Sequence, residues 1–332
     1  MIDISVIILN WNGRRWLKNC YESLREQTFK NFETILVDNA SSDDSIEFTR
    51  KFFPEVKIIA NNKNLGYAEA NNKAASRALG RYLLFLNNDT KLHHKCLEEI
   101  MKYVKESGAC ICALHFLDYN AAVMELPTKI IGMGIDIFGY PLPSRKIFYS
   151  EGAAFFIEKK LFIKLDGFDQ KHFIFAEDID LSWRAQLQGF DIGFVKSAVV
   201  YHEKGATIIG SSKKSEKHIT SIKRRYFTER NTLRNLLKNY SLTMLCVVLP
   251  LYLILFVTEM LFFLFRGNVK VAKEVYLRAL FYNIVILRDT LRVRKKIQRE
   301  RVTSDWEILK RITLNKFYKW EVFKKLGVPL IQ

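Results

Sequence analysis

Three polar residues, Asn87, Asn88 and Asp89, directly follow an apolar run at residues 82–86. The run does not alternate polar with apolar residues, which is typical of a central strand covered on both faces. Sheets built from such strands bind ligands beyond the strands' carboxyl ends. Amide and carboxylate oxygens at that edge suit a hard cation such as Mg²⁺ or Mn²⁺. A strand-to-helix turn with Asp89 or Thr90 as the N-cap explains this segment equally well.

A second polar group consists of the carboxylates Glu177, Asp178 and Asp180, which follow the aromatic residues Phe173 and Phe175. Acids in the first turn of a helix are favoured by the helix dipole, so a well-capped helix is one interpretation. Three acids beside aromatic rings also repel one another, and such crowding tunes a carboxylate toward general-base catalysis. We therefore predict that this segment carries acid–base chemistry.

Strands that alternate with helices must position these groups. Strands are predicted at 5–9, 32–37, 56–60 and 81–86, and helices at 15–27, 45–53 and 67–79. This alternation implies a parallel sheet with right-handed crossovers. Asp38 directly follows the second strand, where a carboxylate either caps the next helix or binds the base or ribose of a nucleotide. Ser41, Ser42 and Ser45 lie nearer the helix start, which favours the nucleotide.

The later elements are less regular. They are predicted as a helix at 96–106, a strand at 110–116, a mobile Gly- and Pro-rich loop at 132–143 that touches the acceptor, a strand at 150–157 and either a strand pair or an irregular strand at 190–200. Gly152 opens one of these strands, where a missing side chain lets the backbone approach a ligand. The basic segment 205–215 could act as a lid. Neither a Walker loop nor GxGxxG is present, so any phosphates must be neutralised by a metal or by side chains.

Four segments carry a family resemblance: SVIILNWN at 5–12, VDNASSD at 37–43, NLGYAEANN at 64–72 and LNNDT at 86–90. In this order and spacing they resemble the N-terminal half of family 2 glycosyltransferases, in particular the rhamnosyltransferase-like branch. The resemblance covers about residues 3–205. It implies an α/β GT-A fold, in which helices flank a mostly parallel, Rossmann-like sheet, and metal-dependent sugar transfer from a nucleotide-diphosphate donor.

The resemblance also implies roles for single residues on the donor side. Asp38 would hold the nucleotide base, together with the donor-binding residues Asn10, Asn12, Asn64, Gly66, Asn71, Asn88 and Gly152. Asp89 and His202 would hold the metal, Mg²⁺ or Mn²⁺, although a lone His after an apolar run is more often structural. Asn87 stands where the family has the first acid of its Asp-x-Asp element. This departure implies weaker metal binding, although an amide oxygen can still coordinate.

On the acceptor side, Glu-Asp-x-Asp followed by Trp-Arg matches a family motif. The resemblance implies that Asp178 deprotonates the attacking hydroxyl. It also implies that Glu177, Asp180 and Trp183 contact the acceptor.

Charge is distributed unevenly along the chain. Residues 1–202 contain 25 basic and 25 acidic residues, whereas residues 203–332 contain 27 basic and 10 acidic residues. We therefore predict a neutral transferase domain at 1–220 and a basic, apolar helical region at 221–332. The five cysteines are scattered without a CxxC pair, so we expect them to be reduced, as in a cytosolic protein.

The second region contains an apolar stretch of 24 residues, Leu242–Phe265, which is long enough to span a bilayer. Pro250 and Glu259 interrupt it, and a single span would place the basic remainder outside, against the positive-inside rule. The next apolar stretch, 279–287, is too short to return. We expect helices that lie in or dip into the cytoplasmic face of the membrane, with Lys and Arg on anionic headgroups. No nucleic-acid motif is present, and we predict no nucleic-acid partner.

Together these features lead to one hypothesis, an inverting transferase that moves a sugar from dTDP-rhamnose or a UDP-sugar to a lipid-linked saccharide of the cell envelope. The Gln-x-x-Arg-Trp element of processive synthases is absent, so we expect one or a few transfers. A non-catalytic, membrane-bound scaffold is the main alternative, and Asn87 is its best support. A hydrolase is a third. Donor, acceptor, linkage and homo-oligomer formation stay open.

Overall fold

The computed structural model describes residues 2–120, 132–203, 219–328 and 330–331. Its contacts divide the chain into two compact units. The first comprises Met1–Ile130, Tyr149–Leu181 and Phe190–Thr207, and the second Ile131–Phe148, Ser182–Gly189 and Ile208–Gln332. The boundary at residue 220, between the predicted transferase domain and the predicted helical region, stays a prediction.

The elements are numbered along the chain. The strands are β1 Ile4–Asn10, β2 Phe32–Asp38, β3 Lys57–Ala60, β4 Tyr82–Asn87, β5 Thr90–Leu92, β6 Ile111–Asp118, β7 Gly132–Ile135, β8 Pro141–Ser144, β9 Ala154–Glu158, β10 Gly193–His202, β11 Ile219–Thr220 and β12 Leu330–Ile331. The helices are α1 Arg14–Arg25, α2 Ser45–Phe52, α3 Gly66–Arg77, α4 Cys96–Ser107, α5 Lys159–Lys164, α6 Glu177–Leu187, α7 Ile222–Asn239, α8 Leu242–Phe265, α9 Val269–Val271, α10 Arg278–Val285, α11 Leu287–Glu300, α12 Asp305–Arg311 and α13 Tyr318–Leu326.

The first unit is built on an eight-stranded sheet with the order β3-β2-β1-β4-β9-β6-β10-β5. Strands β1 to β4 are parallel, which confirms the prediction from alternating strands and helices. Strand β9 lies antiparallel between β4 and β6, and β10 is parallel to β6 with a register shift between Val195 and Val199. Of the two predictions for residues 190–200, the irregular strand is therefore confirmed.

The apolar strands lie at the centre of this sheet because both of their faces are covered. Val6, Leu36 and Leu84, from β1, β2 and β4, are completely buried in one core cluster. Leu17 and Cys20 of α1 join the same cluster from one side, as expected for an amphipathic helix. The carboxyl ends of the parallel strands consequently meet at one edge of a rigid layer.

Two local expectations were wrong. Asp89 and Thr90 do not cap a helix, because Thr90 begins β5, which pairs antiparallel with β10 at Thr90 and His202. Residues 132–143 do not form a loop but the hairpin of β7 and β8, which pairs Gly132 with Ser144 and Ile135 with Pro141. In both places ladder hydrogen bonds to a partner strand outweigh the local preference for a turn. The lid proposed at 205–215 lies outside the described residues.

The second unit is mainly helical. Ser221 caps α7 by accepting a hydrogen bond from the backbone N–H of Arg224, at the start of the helical region predicted at 221–332. Among the described residues, α8 is the one helix that is long and apolar enough to cross a membrane. Most of its side chains are exposed, and Leu245, Val248 and Tyr252 lie on its buried stripe. A π-helical turn at Ala272–Leu277 joins α9 to α10.

The central position of β4 predicts the stability effect of a truncation there. Leu84→Ala should lower the free energy of unfolding by about 2–5 kcal/mol, because it removes buried contacts and leaves a cavity. Leu79→Ala is the matched control, since Leu79 is 61% exposed, and it should change stability by less than about 0.5 kcal/mol. Urea denaturation measures both variants. Equal small effects would contradict this description of the core.

Candidate active site

Three predicted donor residues form one hydrogen-bonded chain at the carboxyl ends of β1, β2 and β4. The Asn10 Nδ2 donates to Asp38 Oδ1 at 3.0 Å, and the Asn10 Oδ1 accepts from Asn88 Nδ2 at 2.6 Å. All three side chains are buried. Because Asn10 uses both its amide donor and its amide acceptor between Asp38 and Asn88, the Asp38 carboxylate is held in a fixed orientation.

Gly13 makes this arrangement sterically feasible. A Cβ at that position would lie 1.9 Å from Asn88 Nδ2 and 2.6 Å from Asn10 Oδ1. Only glycine therefore fits beside the Asn10–Asn88 pair.

The loop after β2 closes around Asp38. Its carboxylate accepts hydrogen bonds from the backbone N–H of Ser41 at 2.9 Å and from the Ser41 hydroxyl at 2.6 Å. Asp38 is not the cap of α2, which begins at Ser45 with Asp44 in the cap position. Asn12, with φ 50°, pins the loop from β1 by accepting from the backbone N–H of Ser42 at 2.7 Å.

Asn64 and Gly66 shape the start of α3. The Asn64 Oδ1 accepts from the backbone N–H of Gly66 at 2.8 Å, and Asn39 Nδ2 donates to the Gly66 carbonyl at 2.9 Å. Gly66 has φ +77°, and a Cβ there would lie 2.5 Å from the Phe173 carbonyl oxygen. A side chain at residue 66 would therefore push α3 away from the segment that leads to Glu177.

Asn71, on the buried face of α3, is unusual. Its side-chain nitrogen and oxygen are both buried, and neither has a hydrogen-bond partner among the described residues. An unpaired buried amide group costs about 1–3 kcal/mol, so a structural role alone does not explain asparagine here.

The segment before α6 holds an uncommon backbone conformation. Phe173, Phe175 and Ala176 have φ of 65°, 71° and 61°, in the left-handed region that non-glycine residues rarely adopt. Each such residue costs on the order of 1–3 kcal/mol, and strained segments of this kind cluster at active sites. The backbone N–H of Tyr67 donates to the Phe173 carbonyl at 2.6 Å, which helps to hold the segment.

Asp178 lies directly after this segment, beside β9. The backbone N–H of Gly152 donates to Asp178 Oδ2 at 2.9 Å, and the N–H of Ile179 donates to Oδ1 at 2.8 Å. Burial, only partly offset by these two N–H groups, raises the pKa of Asp178 to about 6. The Tyr67 hydroxyl donates to the Gly152 carbonyl at 2.6 Å, so Tyr67 fixes the glycine that orients Asp178.

Glu177 is the partner of Asp178 in ionisation. Burial and the neighbouring Asp178 charge raise the pKa of Glu177 well above its ordinary value. Its Oε2 is buried without a hydrogen-bond partner among the described residues. The two neighbouring carboxyl groups therefore both have raised pKa values, which is typical of groups that act in acid–base chemistry.

Asp180 faces a different group. Ligand atoms of Asp169, His172 and Asp180 lie within 4.8 Å of one another, close enough to hold a metal ion. The Nδ1 of His172 lies 3.6 Å from Asp169 Oδ2. Asp180 is completely buried, and its contact with an acceptor stays a prediction.

The predicted metal ligands Asp89 and His202 come together at the β5–β10 pair. The Nε2 of His202 lies 3.5 Å from Asp89 Oδ1, and its Nδ1 lies 3.8 Å from Glu151 Oε1. The Nδ1 is buried without a hydrogen bond among the described residues. A carboxylate and an imidazole that converge without a short hydrogen bond fit a cation such as Mn²⁺. In the part of the chain that the structure describes, no side-chain hydrogen bond joins Asn87 to either residue.

Trp183 belongs to the second unit. Its ring is completely buried and packs edge-on against Phe148 and Tyr240, with centroid distances of 5.6 and 4.8 Å. In this position the ring has no free surface, and contact with an acceptor stays a prediction.

Sequence reasoning missed Ser41, Tyr67 and Glu151. Ser41 and Glu151 adjoin residues that were named, but their contacts depend on loop geometry that composition does not reveal. Tyr67 lies inside a motif that was quoted, yet its hydroxyl reaches residue 152, which is 85 positions away.

Comparison with known proteins places these residues in a family. Residues 5–166 match the model of glycosyl transferase family 2. The putative teichuronic acid biosynthesis glycosyltransferase TuaG of Bacillus subtilis (strain 168) is 32% identical over 125 residues, which cover 37% of this chain and 48% of TuaG. Glycosyltransferase GlyG of Streptococcus pneumoniae is 29% identical over 120 residues, covering 35% of this chain and 40% of GlyG. The matches thus span less than half of each of these two relatives.

Solved structures agree on the fold. S. aureus TarS 1–349 aligns with a TM-score of 0.53 and 19% identity, over 72% of this chain and 66% of that one. GalNAc-T7, solved with UDP, GalNAc and Mn²⁺, aligns with a TM-score of 0.57 and 18% identity, over 71% of this chain and 48% of that one. At these identities the likeness shows the GT-A type of fold alone. Residues 5–166, just under half of this chain, thus match the family 2 glycosyltransferase model, and the likeness to solved structures shows the GT-A type of fold.

Proposed function

We propose that this protein is an inverting glycosyltransferase that uses a nucleotide-diphosphate sugar. The observation that carries the proposal is the Glu177–Asp178 pair, in which burial raises the pKa of Glu177 well above its ordinary value and the pKa of Asp178 to about 6. A carboxylate with a raised pKa is a stronger base, yet it is still largely ionised at neutral pH. Gly152 and the N-terminus of α6 hold it in one orientation.

In the proposed reaction, Asp178 takes the proton of an acceptor hydroxyl as its oxygen bonds to the anomeric carbon. The bond from that carbon to the donor diphosphate breaks, and the nucleoside diphosphate leaves with the electron pair. This single displacement inverts the anomeric centre. Asp89 and His202, and Asn87 by sequence position, would hold a divalent cation, whose positive charge favours the diphosphate leaving group.

The donor side of the proposal rests on the chain of Asn10, Asn88 and Asp38 and on the unpaired amide of Asn71. Their polar groups suit the base, ribose and sugar of a donor. TarS has been solved with UDP-GlcNAc and GalNAc-T7 with UDP, which supports a UDP-sugar as the first candidate. A dTDP-sugar such as dTDP-rhamnose is the second.

We further propose a lipid-linked saccharide as acceptor, at the cytoplasmic face of the cell membrane. TuaG is named for teichuronic acid biosynthesis, which supports a cell-envelope product. The exposed apolar surface of α8 supports a membrane location.

The proposal predicts the effect of removing the base. Asp178→Asn should lower kcat by about 10²–10⁴-fold, the usual contribution of a positioned general base, without changing donor affinity. Asp191→Asn, at an exposed carboxylate of the same unit, is the matched control and should retain full activity. Steady-state kinetics and donor titration measure both variants. Loss of donor binding together with turnover would make Asp178 a structural residue instead.

Variants of two adjacent asparagines distinguish an effect on donor binding from an effect on the stability of the fold. The Asn72 amide bonds both backbone groups of Phe168, at 2.8 and 2.9 Å, whereas the Asn71 amide has no partner. Asn72→Leu should therefore lower the free energy of unfolding by about 1–3 kcal/mol, and Asn71→Leu should not lower it. Asn71→Leu should instead weaken donor binding by about fivefold to tenfold. An Asn71 variant that unfolds more easily and binds donor normally would refute this assignment.

The nucleotide and the metal are tested by calorimetric titration of UDP, dTDP and GDP, with and without Mn²⁺. One nucleotide should bind, and Mn²⁺ should tighten it by about tenfold or more. His202→Ala should remove the Mn²⁺-dependent part alone, while His94→Ala, at an exposed histidine, should change nothing. If a folded sample binds none of the three, the scaffold function replaces the transferase.

A further inference from the structure

One stretch of the second unit exposes an unusual number of large apolar side chains. Nearly two thirds of all the exposed large apolar residues of the described chain lie between residues 242 and 291. We define the apolar face as the members of this group on α8 to α11: Leu242, Val247, Leu251, Ile254, Leu255, Val257, Leu261, Phe262, Leu264, Phe265, Val269, Leu277, Leu280, Phe281, Ile284, Val285, Leu287 and Leu291. A soluble protein rarely leaves so large an apolar set uncovered.

The exposed charges of the same stretch have one sign. Between residues 242 and 301, the charged residues classed as exposed are all cations: Arg266, Lys270, Lys273, Arg278, Arg288, Arg292, Lys295 and Arg299. The four acids of this stretch, Glu259, Glu274, Asp289 and Glu300, are all partly covered. Apolar side chains with cations among and beside them match an anionic lipid surface, which offers both hydrocarbon and negative headgroups.

The path of the chain excludes a single crossing by α8. Arg294, on α11, donates to the carbonyl oxygens of Leu237 and Tyr240 at 2.7 and 2.6 Å, directly before α8 begins. Arg234 of α7 forms an ion pair with Asp289 at 2.8 Å. The polypeptide therefore runs away from the end of α7 along α8 and returns through α9 and α10. The two ends of this α8–α10 segment consequently lie beside each other.

The turn of this α8–α10 segment is polar. Arg266, Asn268, Lys270 and Lys273 are exposed there, and cations in the hydrocarbon core are costly. The returning helices from Val269 to Val285 carry four charged side chains, which makes a second crossing unfavourable. A hairpin that enters the hydrocarbon with this turn first is therefore disfavoured.

The acid inside α8 is neutralised within the unit. Glu259 pairs with Arg225 of α7, and it also pairs with Lys319 of α13 at 2.6 Å. It therefore lies on the protein-facing side of α8, and the apolar face carries no acid that would repel anionic headgroups.

We propose that α8 to α11 bind in the plane of one leaflet of an anionic bilayer, with the apolar face inserted and the exposed cations on the headgroups. The protein then crosses the membrane neither with α8 alone nor with the α8–α10 hairpin. This extends the proposed function, whose acceptor is membrane-bound. It is tested without donor or acceptor, so the two proposals can fail separately.

The first test measures vesicle binding of the full chain by flotation. The protein should bind phosphatidylcholine vesicles with about 30% phosphatidylglycerol more tightly than phosphatidylcholine alone, and less tightly in about 1 M than in about 0.1 M NaCl. The triple variant Ile254→Asn, Phe281→Ser and Ile284→Ser should bind about tenfold or more weakly. Leu79→Ser with Ile163→Ser changes equally exposed apolar residues of the first unit and should bind normally.

Two outcomes of that test overturn the proposal. The first is vesicle binding that the triple variant retains. The second is a lipid-free dimer that the triple variant abolishes without vesicle binding by either form, because a second copy then covers the face. Circular dichroism and thermal unfolding verify that each variant is folded.

The second test locates the turn. In a background with both Cys110→Ser and Cys246→Ser, which leaves the buried Cys20, Cys96 and Cys112, Lys270→Cys should react with a membrane-impermeant maleimide added outside to vesicle-bound protein, because an in-plane helix keeps residue 270 at the surface. Lys296→Cys, on α11, serves as the positive control. Protection of residue 270 until detergent is added would mean that the turn enters or crosses the bilayer.

Discussion

The hydrogen bond from the Gly152 backbone N–H to Asp178 connects the sheet to the helix that begins at Glu177. Gly152 is fixed in turn by the Tyr67 hydroxyl, and the Tyr67 backbone N–H holds the carbonyl of Phe173. Tyr67 thus contacts both segments that position Asp178. Tyr67 lies at the start of α3, within the motif at residues 64–72. A displacement of this motif should therefore also displace Asp178, the proposed base.

Much of this architecture could be predicted because it follows from local pattern. A short run without polar residues, such as that of β4, is typical of a central strand that is covered on both faces. The helices between these strands show clear apolar periodicity. The family motifs then fixed which strand ends carry Asp38 and Asp89. The start of β5 at Thr90 could not be predicted, because it depends on pairing with His202, which is more than 100 residues away in sequence.

The polar contacts were harder to predict than the elements. Sequence placed Asn10, Asp38 and Asn88 at strand ends, but it could not show that they bond one another while the Asn71 amide has no partner among the described residues. Nor could it show that Asp180 lies close to Asp169 and His172. In the basic region, the hydropathy pattern did not show whether the polypeptide turns back toward α7 after α8. The Arg234–Asp289 ion pair shows that it does, and an ion pair leaves no trace in a hydropathy pattern.

Cations compensate the buried acid Glu259 of the second unit, whereas they do not compensate the Glu177–Asp178 pair in the described part of the first. We relate this difference to the roles proposed for the two units, membrane binding and sugar transfer. In the second unit the buried acid Glu259 is matched by two cations, which lower its pKa to about 2 against the effect of burial. In the first unit Glu177 is buried and Asp178 is partly buried, and neither has a cationic partner among the described residues. Burial raises the pKa of both, and the Asp178 charge adds to the rise for Glu177. A matched pair stabilises a helix but cannot accept a proton at neutral pH. Burying the Glu177–Asp178 pair costs stability. The same burial raises the pKa of Asp178, which makes its carboxylate a stronger base for the proton of a hydroxyl group.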